Sequence, residues 1–548
     1  MPNISNPGRA SPPSTTLARQ GDDAGLTAAG DATEDDRPTP QAARFILGTA
    51  AAACALIVLD TNVVAVSLPS IARTFHAGFA DVEWVVSAYM VAFAACLLPA
   101  GGLADRFGRR KMLLIGLAVF SIASLGCGLA PSAMMLNAAR ALKGVGAAML
   151  LTSALAVIAH TFREGAERAR AWAIWGTCMG LATTVAPLVG GAITQWFGWR
   201  WIFLLNLPVC GVLAWCVFRS IRESRNPAAG PIDVIGSMLF GLALAIGIWA
   251  LIGAGSIGWT HHATIARGAA SATLLLAFVL VERVRHHAMV DLTLFRQPRF
   301  VGAVLAMFGY AACAQVMMTF LPLYLQNAFG LSAVAAGMGM LPFALAMIVG
   351  PYIGAALSRR MPTAATLTVG LLMIGIGNLV TAMVAQDATY WLVAIGMLVT
   401  GCGAGVLNGD TQKAIVSRVP ANRTGMASGI STTTRFTAIV TSVGVLGAVL
   451  TARTRLVLEA NLASNPAAAS HADAGFMSHV LAGDVAHATA SLPDAMRVIL
   501  ADAARSSFAS GFSAALSVAG VFAIVIAASV WMLAGRTEVA AAGRQAAV

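Results

Sequence analysis

The sequence predicts an all-α protein whose helices cross a lipid bilayer fourteen times, and three observations carry that prediction. Of its 548 residues, 58% are hydrophobic and 11% charged. Soluble domains carry roughly 25% charged residues, so lipid is the solvent for most of this chain. Apolar runs long enough to span recur at 44–68, 84–103, 112–130, 134–159, 170–193, 201–218, 234–254, 268–284, 300–323, 333–357, 364–385, 390–412, 425–451 and 511–534. Such lengths suit tilted helices across roughly 30 Å of hydrocarbon. The third observation is the distribution of basic residues between the two sets of loops. Beside the basic stretch Gly101–Lys111 fall Arg163, Arg168, Arg170, Arg219, Arg222, Arg225, Arg283, Arg285, Arg296, Arg299, Arg359, Arg360, Arg418 and Arg423; the short loops opposite carry Arg73, Arg200 and Arg267. Lys and Arg bias short loops towards the cytoplasm. An even number of spans then leaves both termini there, in a multi-pass protein of the cytoplasmic (inner) membrane.

Taken in order, residues 1–43 read as a disordered cytoplasmic tail, rich in Pro, Ser, Thr, Asp and Ala and lacking the apolar core of a signal peptide. Residues 44–220 hold six spans, 221–290 two, and 291–534 six more, followed by a short cytoplasmic tail at 535–548. Between the last two spans lies an Ala-rich insertion, 452–510, on the outer side, with helix-like patches such as Pro493–Arg505. It is expected either to lie along the membrane surface or to pack as a cap. A weak internal echo supports a repeat: Leu142–Met149 (LKGVGAAM) is matched in style by Val399–Val406 (VTGCGAGV), and Gly354–Arg360 (GAALSRR) echoes Gly101–Lys111 with Ser358 in place of the aspartate.

Composition also excludes functions. The net charge of +11 is placed in membrane-flanking loops, so it reports orientation and not nucleic-acid binding. Eight cysteines all fall in apolar segments without C-x-x-C spacing, which indicates neither a disulfide framework nor a metal site. The histidine pairs His261–His262 and His286–His287 lie in loops, and no histidine shows H-E-x-x-H spacing. No G-x-x-x-x-G-K-[ST] cradle for ATP phosphates is present. With no nucleophile–base set or paired carboxylates either, the chain reads as a non-enzyme without cofactor, driven by an ion gradient if it pumps.

Charged residues within spans are the candidates for chemistry. Asp60 lies mid-span in Leu59–Pro69 (LDTNVVAVSLP). A charge there costs about 2.5–3.5 kcal/mol, so it faces a cavity or a partner. Proton or cation handling is one reading; a packing carboxylate held by Thr61 or Asn62 is the other. Arg140, in the fourth span (Leu136–Ala148), is a fixed positive charge able to tune a carboxylate or to serve as a structural ion. Lys143 beside it either snorkels to an interface or adds a second charge to the cavity. Asp410 and Lys413 stand one turn apart near the end of the twelfth span, spaced for an ion pair, with substrate or proton binding by Asp410 the alternative. Arg435 needs a carbonyl or carboxylate partner, and Met317, Met318 and Phe320 are candidates to line a greasy pocket.

The stretch Gly101–Lys111 (GGLADRFGRRK) crowds Asp105, Arg106, Arg109, Arg110 and Lys111 into one short loop. Gly101 and Gly102 are expected to let helices approach closely. Asp105 is expected to meet the unpaired N–H groups opening the next helix. The order G-x-L-A-D-R-x-G-R-R-K resembles the signature loop of the major facilitator superfamily. Ala182–Gly191 (ATTVAPLVGG) resembles that superfamily's antiporter motif, with Pro187, Gly190 and Gly191 present and Ala182 and Ala186 replacing glycines. Trp199–Pro208 (WRWIFLLNLP), Leu321–Gln326 (LPLYLQ), Gly337–Pro342 (GMGMLP) and Gly425–Phe436 (GMASGISTTTRF), with Asp60 and its neighbours, resemble the fourteen-span drug:proton antiporter branch over approximately residues 44–450. Asn62, Ala65 and Lys143 depart from the usual pattern.

The resemblance implies two six-helix bundles with two extra central helices, rocking around a central site. It implies a multidrug efflux pump that exports lipophilic, cationic drugs or toxic compounds in exchange for protons. Asp60 and Arg140 would couple the proton, while Gly101, Asp105, Arg106, Gly108, Arg109 and Arg110 gate the conformational change. Pro187, Gly190 and Gly191 would form the antiporter-type kink, with Asp410 and Gln326 as candidate substrate or ion contacts. The same fold could export a metabolite, siderophore or amino acid, and a periplasmic adaptor and the oligomeric state stay open.

Overall fold

The computed structural model describes residues 39–535 except 163–164, 226–232, 286–291, 316, 388, 420–423, 464–467, 469–473, 483–488 and 490–491. Most of both tails, Arg163, Arg423, the pair His286–His287 and much of the insertion thus lie outside the described residues. The rest is helical. The first half comprises α1 (Pro40–Phe75), α2 (Phe79–Phe107), α3 (Arg109–Gly128), α4 (Ala133–Thr161), α5 (Gly165–Trp196), the short α6 (Trp201–Leu204) and α7 (Asn206–Ser220). Then come α8 (Val234–Ile257) and α9 (His262–Val284). The second half comprises α10 (Pro298–Tyr310), α11 (Met317–Asn327), α12 (Ala333–Gly339), α13 (Leu341–Leu357), α14 (Thr363–Val384), α15 (Tyr390–Val416), α16 (Thr424–Leu462), α17 (Ala474–Ala482) and α18 (Asp494–Val530).

Thirteen helical stretches among the described residues are long and apolar enough to cross a membrane, and α2, bent by 50° between Asp81–Leu97 and Pro99–Phe107, makes a fourteenth. Pro99 accounts for the bend, because it offers no N–H and its ring crowds the preceding turn. Helices α1 to α7 pack on one another, as do α10 to α18; α8 lies against both α2 and α16, where the halves meet, and α9 packs on α8.

The echo between Leu142–Met149 and Val399–Val406 is a packing equivalence. A Cβ on Gly144 would strike the α2 backbone at Tyr89, and one on Gly146 would lie 2.7 Å from Phe120 N of α3. In the second half a Cβ on Gly401 would lie 2.5 Å from Phe343 O of α13, and one on Gly403 would lie 2.7 Å from Gly370 O of α14. Alternate glycines thus let α4 and α15 each touch the backbones of two neighbours, the close packing that replaces hydrophobic association in lipid.

We call the end holding the α2–α3 turn the signature end and the other the far end. Across the halves, a Cβ on Gly191 of α5 would lie 2.5 Å from Ala333 O of α12, and one on Gly337 would lie 2.5 Å from Pro187 O. Both contacts belong to the far end. Towards the signature end, Gly176 and Gly180 of α5 have no atom within 4 Å of a built Cβ, and Tyr352 of α13 is 74% exposed. The halves therefore meet at the far end and part at the signature end. The flanks of the 452–510 insertion continue α16 and α18, and α17 between them packs on α1, α2, α16 and α18, capping both halves.

Replacing Gly403 by Val forces methyl groups into the Gly370 carbonyl and is expected to cost about 1–3 kcal/mol, the usual range for overpacking. Gly176→Ala, in open space, should leave stability unchanged or raise it by up to about 1 kcal/mol through helix propensity. Thermal unfolding midpoints of the purified protein in detergent would check the contrast.

Candidate functional site

Four helices of the first half converge on Asp60. α1 places its carboxylate in the core, where Arg140 Nη1 of α4 donates to Oδ2 at 2.9 Å and Lys143 Nζ donates to Oδ1 at 2.5 Å. Arg140 and Lys143 lie i, i+3 on α4 and so share one face of that helix. Asn206, at the start of α7, donates from Nδ2 to Asp60 Oδ1 at 3.0 Å. Arg140 Nε donates to Val85 O of α2 at 2.9 Å. Asp60 is 4% exposed, and Arg140 and Lys143 are 0% exposed. Aromatic faces complete the enclosure: Arg140 sits 4.2 Å from the Tyr89 ring centroid, and Lys143 sits 4.6 Å from Phe120 and 4.9 Å from Phe203. Ring quadrupoles attract such desolvated cations.

This geometry shows which groups hold Asp60 and where Lys143 reaches. Thr61 and Asn62 do not hold Asp60; their side chains donate to Ile57 O and Val58 O of their own helix. Lys143 does not snorkel, because Asp60 lies within reach and lipid offers no better partner. With one carboxylate facing two cations, the cluster carries one net positive charge and differs by one proton from a state with either Asp60 neutral or Lys143 discharged. Such coupled groups titrate as a unit.

A second polar cluster lies in the other half. Span nine changes to a π-helical turn at Ala311–Gln315 between α10 and α11, a distortion that frees backbone groups. Asn378 of α14 donates to Cys313 O at 2.8 Å, and Ser442 of α16 donates to Ala312 O at 2.6 Å. Gln315 Oε1 accepts from Arg435 Nε of α16 at 2.6 Å, and Arg435 Nη2 also reaches Asn408 Oδ1 at 3.2 Å and Tyr310 OH at 3.4 Å. Arg435 thus takes side-chain amide and phenol oxygens, not the carbonyl or carboxylate expected. It forms no ion pair among the described residues. Its neighbour Phe436 meets Phe93 of α2 with ring centroids 4.2 Å apart and planes tilted by 60°, which sets the cluster at the level where the halves touch.

The signature stretch is mostly helix, not loop: α2 runs to Phe107, α3 begins at Arg109, and Gly108 alone, at φ 116°, makes the turn. That φ favours glycine. Asp105 does not cap α3; it pairs with Arg109 at 3.0 Å one helical turn on. The cap comes from Glu223, whose carboxylate accepts from Arg110 N and Lys111 N, each at 3.1 Å. Arg110 Nη2 donates to Phe218 O at 2.9 Å and lies over the Phe218 ring. Gly101 is not a close-approach point, since a Cβ there would lie 3.9 Å from Thr152, and Arg106 is exposed beside Phe107.

Pro187, Gly190 and Gly191 lie in an uninterrupted α5. A Cβ on Gly190 would lie 2.9 Å from Val63 O of α1. Together with Gly191 against α12, this places α5 between its own half and the other. Gln326 of α11 donates to Val66 O of α1 at 3.1 Å, a hydrogen bond across the halves. Asp410 accepts from Ser358 Oγ at 3.1 Å and does not pair with the exposed Lys413. Met317, Met318 and Phe320 are buried in packing, not lining an open pocket. Asn206 and Glu223 went unnoticed in the sequence; a polar amide inside span six was the signal for the first, and nothing local marked the second.

Residues 50–444 match the family model described as Major Facilitator Superfamily. The chain is 34% identical over 411 residues to the multidrug resistance protein Stp of Mycobacterium tuberculosis, covering 74% of this chain and 76% of that protein. It is 32% identical over 495 residues to the multidrug efflux pump LfrA of Mycolicibacterium smegmatis, covering 90% and 96%. It is 30% identical over 483 residues to the tetracenomycin C resistance and export protein of Streptomyces glaucescens, covering 86% and 88%. Among solved structures, a bacterial homolog of the human lysosomal transporter Spinster, inward-facing and unoccupied, superposes with a TM-score of 0.61 at 16% identity over 90% of this chain and 99% of that one.

Removing the Asp60 charge strands two buried cations, and breaking such a pair costs about 3–5 kcal/mol. Asp60→Asn is therefore expected to lower the melting midpoint sharply. Lys143→Met, which leaves one carboxylate against one guanidinium, should lower it little, and adding it to Asp60→Asn should recover part of the loss. Melting curves of the four proteins in detergent would test the ranking.

Proposed function

The chain belongs to the Major Facilitator Superfamily, and on that premise we propose that it exports lipophilic, drug-like compounds across the cytoplasmic membrane in exchange for protons. The observation that carries this reading is the buried cluster of Asp60, Arg140 and Lys143, whose charges face one another and no other ionised group among the described residues. It is a group whose proton content can change inside the membrane. Arg140 fixes the charge, Asn206 orients the carboxylate, and Lys143 or Asp60 carries the proton. A proton moving through 100 mV supplies about 2.3 kcal/mol. At about 1.4 kcal/mol per decade, that sustains roughly a fifty-fold gradient of a neutral compound.

The chain divides at 44–220, 221–290 and 291–534 into two rocking bundles and a pair of linker helices, with the signature end and both termini cytoplasmic. The stretch Gly101–Arg110, tied through Glu223 and Phe218 to the segment leading into α8, transmits the motion. Gly190, Gly191 and Gln326 close the far end. The cationic substrate expected from resemblance gains no support from the charges nearest the meeting of the halves. Arg435 has neutral partners and the Asp60 cluster is itself positive, which favours neutral or acidic compounds bearing hydrogen-bond acceptors.

Proteoliposomes loaded with the protein should release protons when a substrate is added, and accumulation should collapse with a protonophore. Asp60→Glu should retain release and Asp60→Asn should lose it while still binding substrate; equal release by both would sink the coupling role of the cluster. In the same vesicles, Arg435→Gln should weaken binding of acidic or neutral acceptors about tenfold and spare lipophilic cations. The reverse pattern would restore a cationic substrate.

A further inference from the structure

A carboxylate outside the Asp60 cluster stands in the seam that closes the far end. Glu83 lies in the first turns of α2 and is 6% exposed, and its Oε1 has no hydrogen-bond partner. It forms no ion pair with any described residue. Its Oε1 rests against the backbone of Gly447 on α16, in the space that any side chain at that position would fill. Glu83 is therefore held between the two halves, with one wall on α2 and the other on α16. Ten residues along α2, Phe93 meets Phe436 in the same seam, at 4.2 Å between ring centroids.

Among the described residues, the surrounding elements supply no neutralising charge. Helix α8 contains no titratable residue. On α4, Arg140 is spent on Asp60 and Val85 O, Lys143 is spent on Asp60, and His160 lies at the signature end. On α16, Arg453 donates to Ser510 of α18, and Arg455 and Glu459 are exposed further towards the far end. Arg73 and Asp60 on α1 and His479 on α17 are the remaining charged or titratable groups on elements packed near this end of α2, and none forms an ion pair with Glu83. On α3, the charged residues Arg109, Arg110 and Lys111 lie at the signature end. Asp81 on α2 itself is engaged at Gly78 N. An ionised carboxylate left unpaired in a dry seam costs several kcal/mol, whereas the neutral acid is tolerated.

We propose that Glu83 is a proton-binding latch of the far end: with its proton bound the halves close over it, and after proton loss to the far-side solution they part. This rests on the transporter reading above but not on the Asp60 cluster. The proton enters and leaves on the same side, so Glu83 sets how readily the far end opens without contributing to the proton count of transport. A ligand shifts such an equilibrium only by its differential affinity for the two states. The proton meets that condition, because the open state hydrates the carboxylate and the closed state does not.

The test uses the full chain in nanodiscs. Hydrogen exchange of backbone amides in 79–97 and 436–455 is followed at several pH values and corrected for intrinsic rates. Wild type should lose protection as pH rises, whereas Glu83→Gln, which mimics the neutral acid in shape, should stay protected at every pH. Gly447→Ala, which displaces the carboxyl, should lower protection at low pH. Infrared difference spectra should show a protonated-carboxyl band in wild type near neutral pH that is absent in Glu83→Gln. Proton release on substrate binding from the signature end needs no opening of the far end, so its loss in Asp60→Asn reports on the other proposal and not on the latch. The latch is overturned if Glu83→Gln follows the wild-type pH profile, or if the infrared band is missing while the seam is closed. It is also overturned if Glu83→Gln abolishes binding of a lipophilic cation with no change in protection, which would make Glu83 a substrate contact.

Discussion

Two cations on one helix face share a single carboxylate in the core of the first half, and much else follows from that enclosure. In lipid no water waits to solvate an abandoned charge, so Asp60, Arg140 and Lys143 keep one another in place. The bonds run from α4 to α1, from α4 to the backbone of α2, and from α7 to α1. Four helices are thereby fixed in rotation as well as position. The first half is braced by its own ion cluster, independently of the surfaces where the halves touch.

The second half repeats the packing without the charges. Gly144 and Gly146 of α4 correspond to Gly401 and Gly403 of α15, each pair opening the way to two neighbouring backbones. In the same register Lys143 corresponds to Thr400, which donates to Asn378 at 3.4 Å, and Arg140 corresponds to Met397. Close approach is thus common to both halves and ion chemistry is not. The echo of the signature stretch behaves alike: Ser358 stands where Asp105 would, and Asp410 from α15 brings the carboxylate to it. Two similar scaffolds thus carry different polar content: one half holds a buried ion cluster, and the other is built around Arg435 and the π turn.

The fourteen spans were legible because hydrophobic length is nearly the only requirement for crossing a bilayer, and each run from 44 to 534 found its helix. Asp60 and Arg140 were legible because charge inside a span is costly enough to signal a partner. Partner choice was not. Lys143 could reach outward or inward along its flexible stem, and only the position of α1 decides which. Asp410 and Lys413 had the spacing of an ion pair, yet the contact goes to Ser358 because a neighbouring helix lies nearer than the next turn. The stretch Gly101–Lys111 looked like a loop because Gly and charge are dense there, but a single φ of 116° at Gly108 suffices for the turn. Its cap, Glu223, lies more than a hundred residues away, beyond any local pattern.

A carrier that exchanges two solutes must make the hydration of its ionisable groups depend on which end is open. The Asp60 cluster is sealed within one half, and its hydrogen-bond partners all belong to that half. Glu83 is different in kind: one of its walls belongs to each half, and opening the far end replaces Gly447 with water. A single carboxylate on a seam therefore senses closure directly, whereas a cluster inside a bundle senses it only through the helices that hold it. On the roles proposed for the two sites the tasks are separate: the far end responds to the solution it faces, and the count of transported protons is set at the Asp60 cluster.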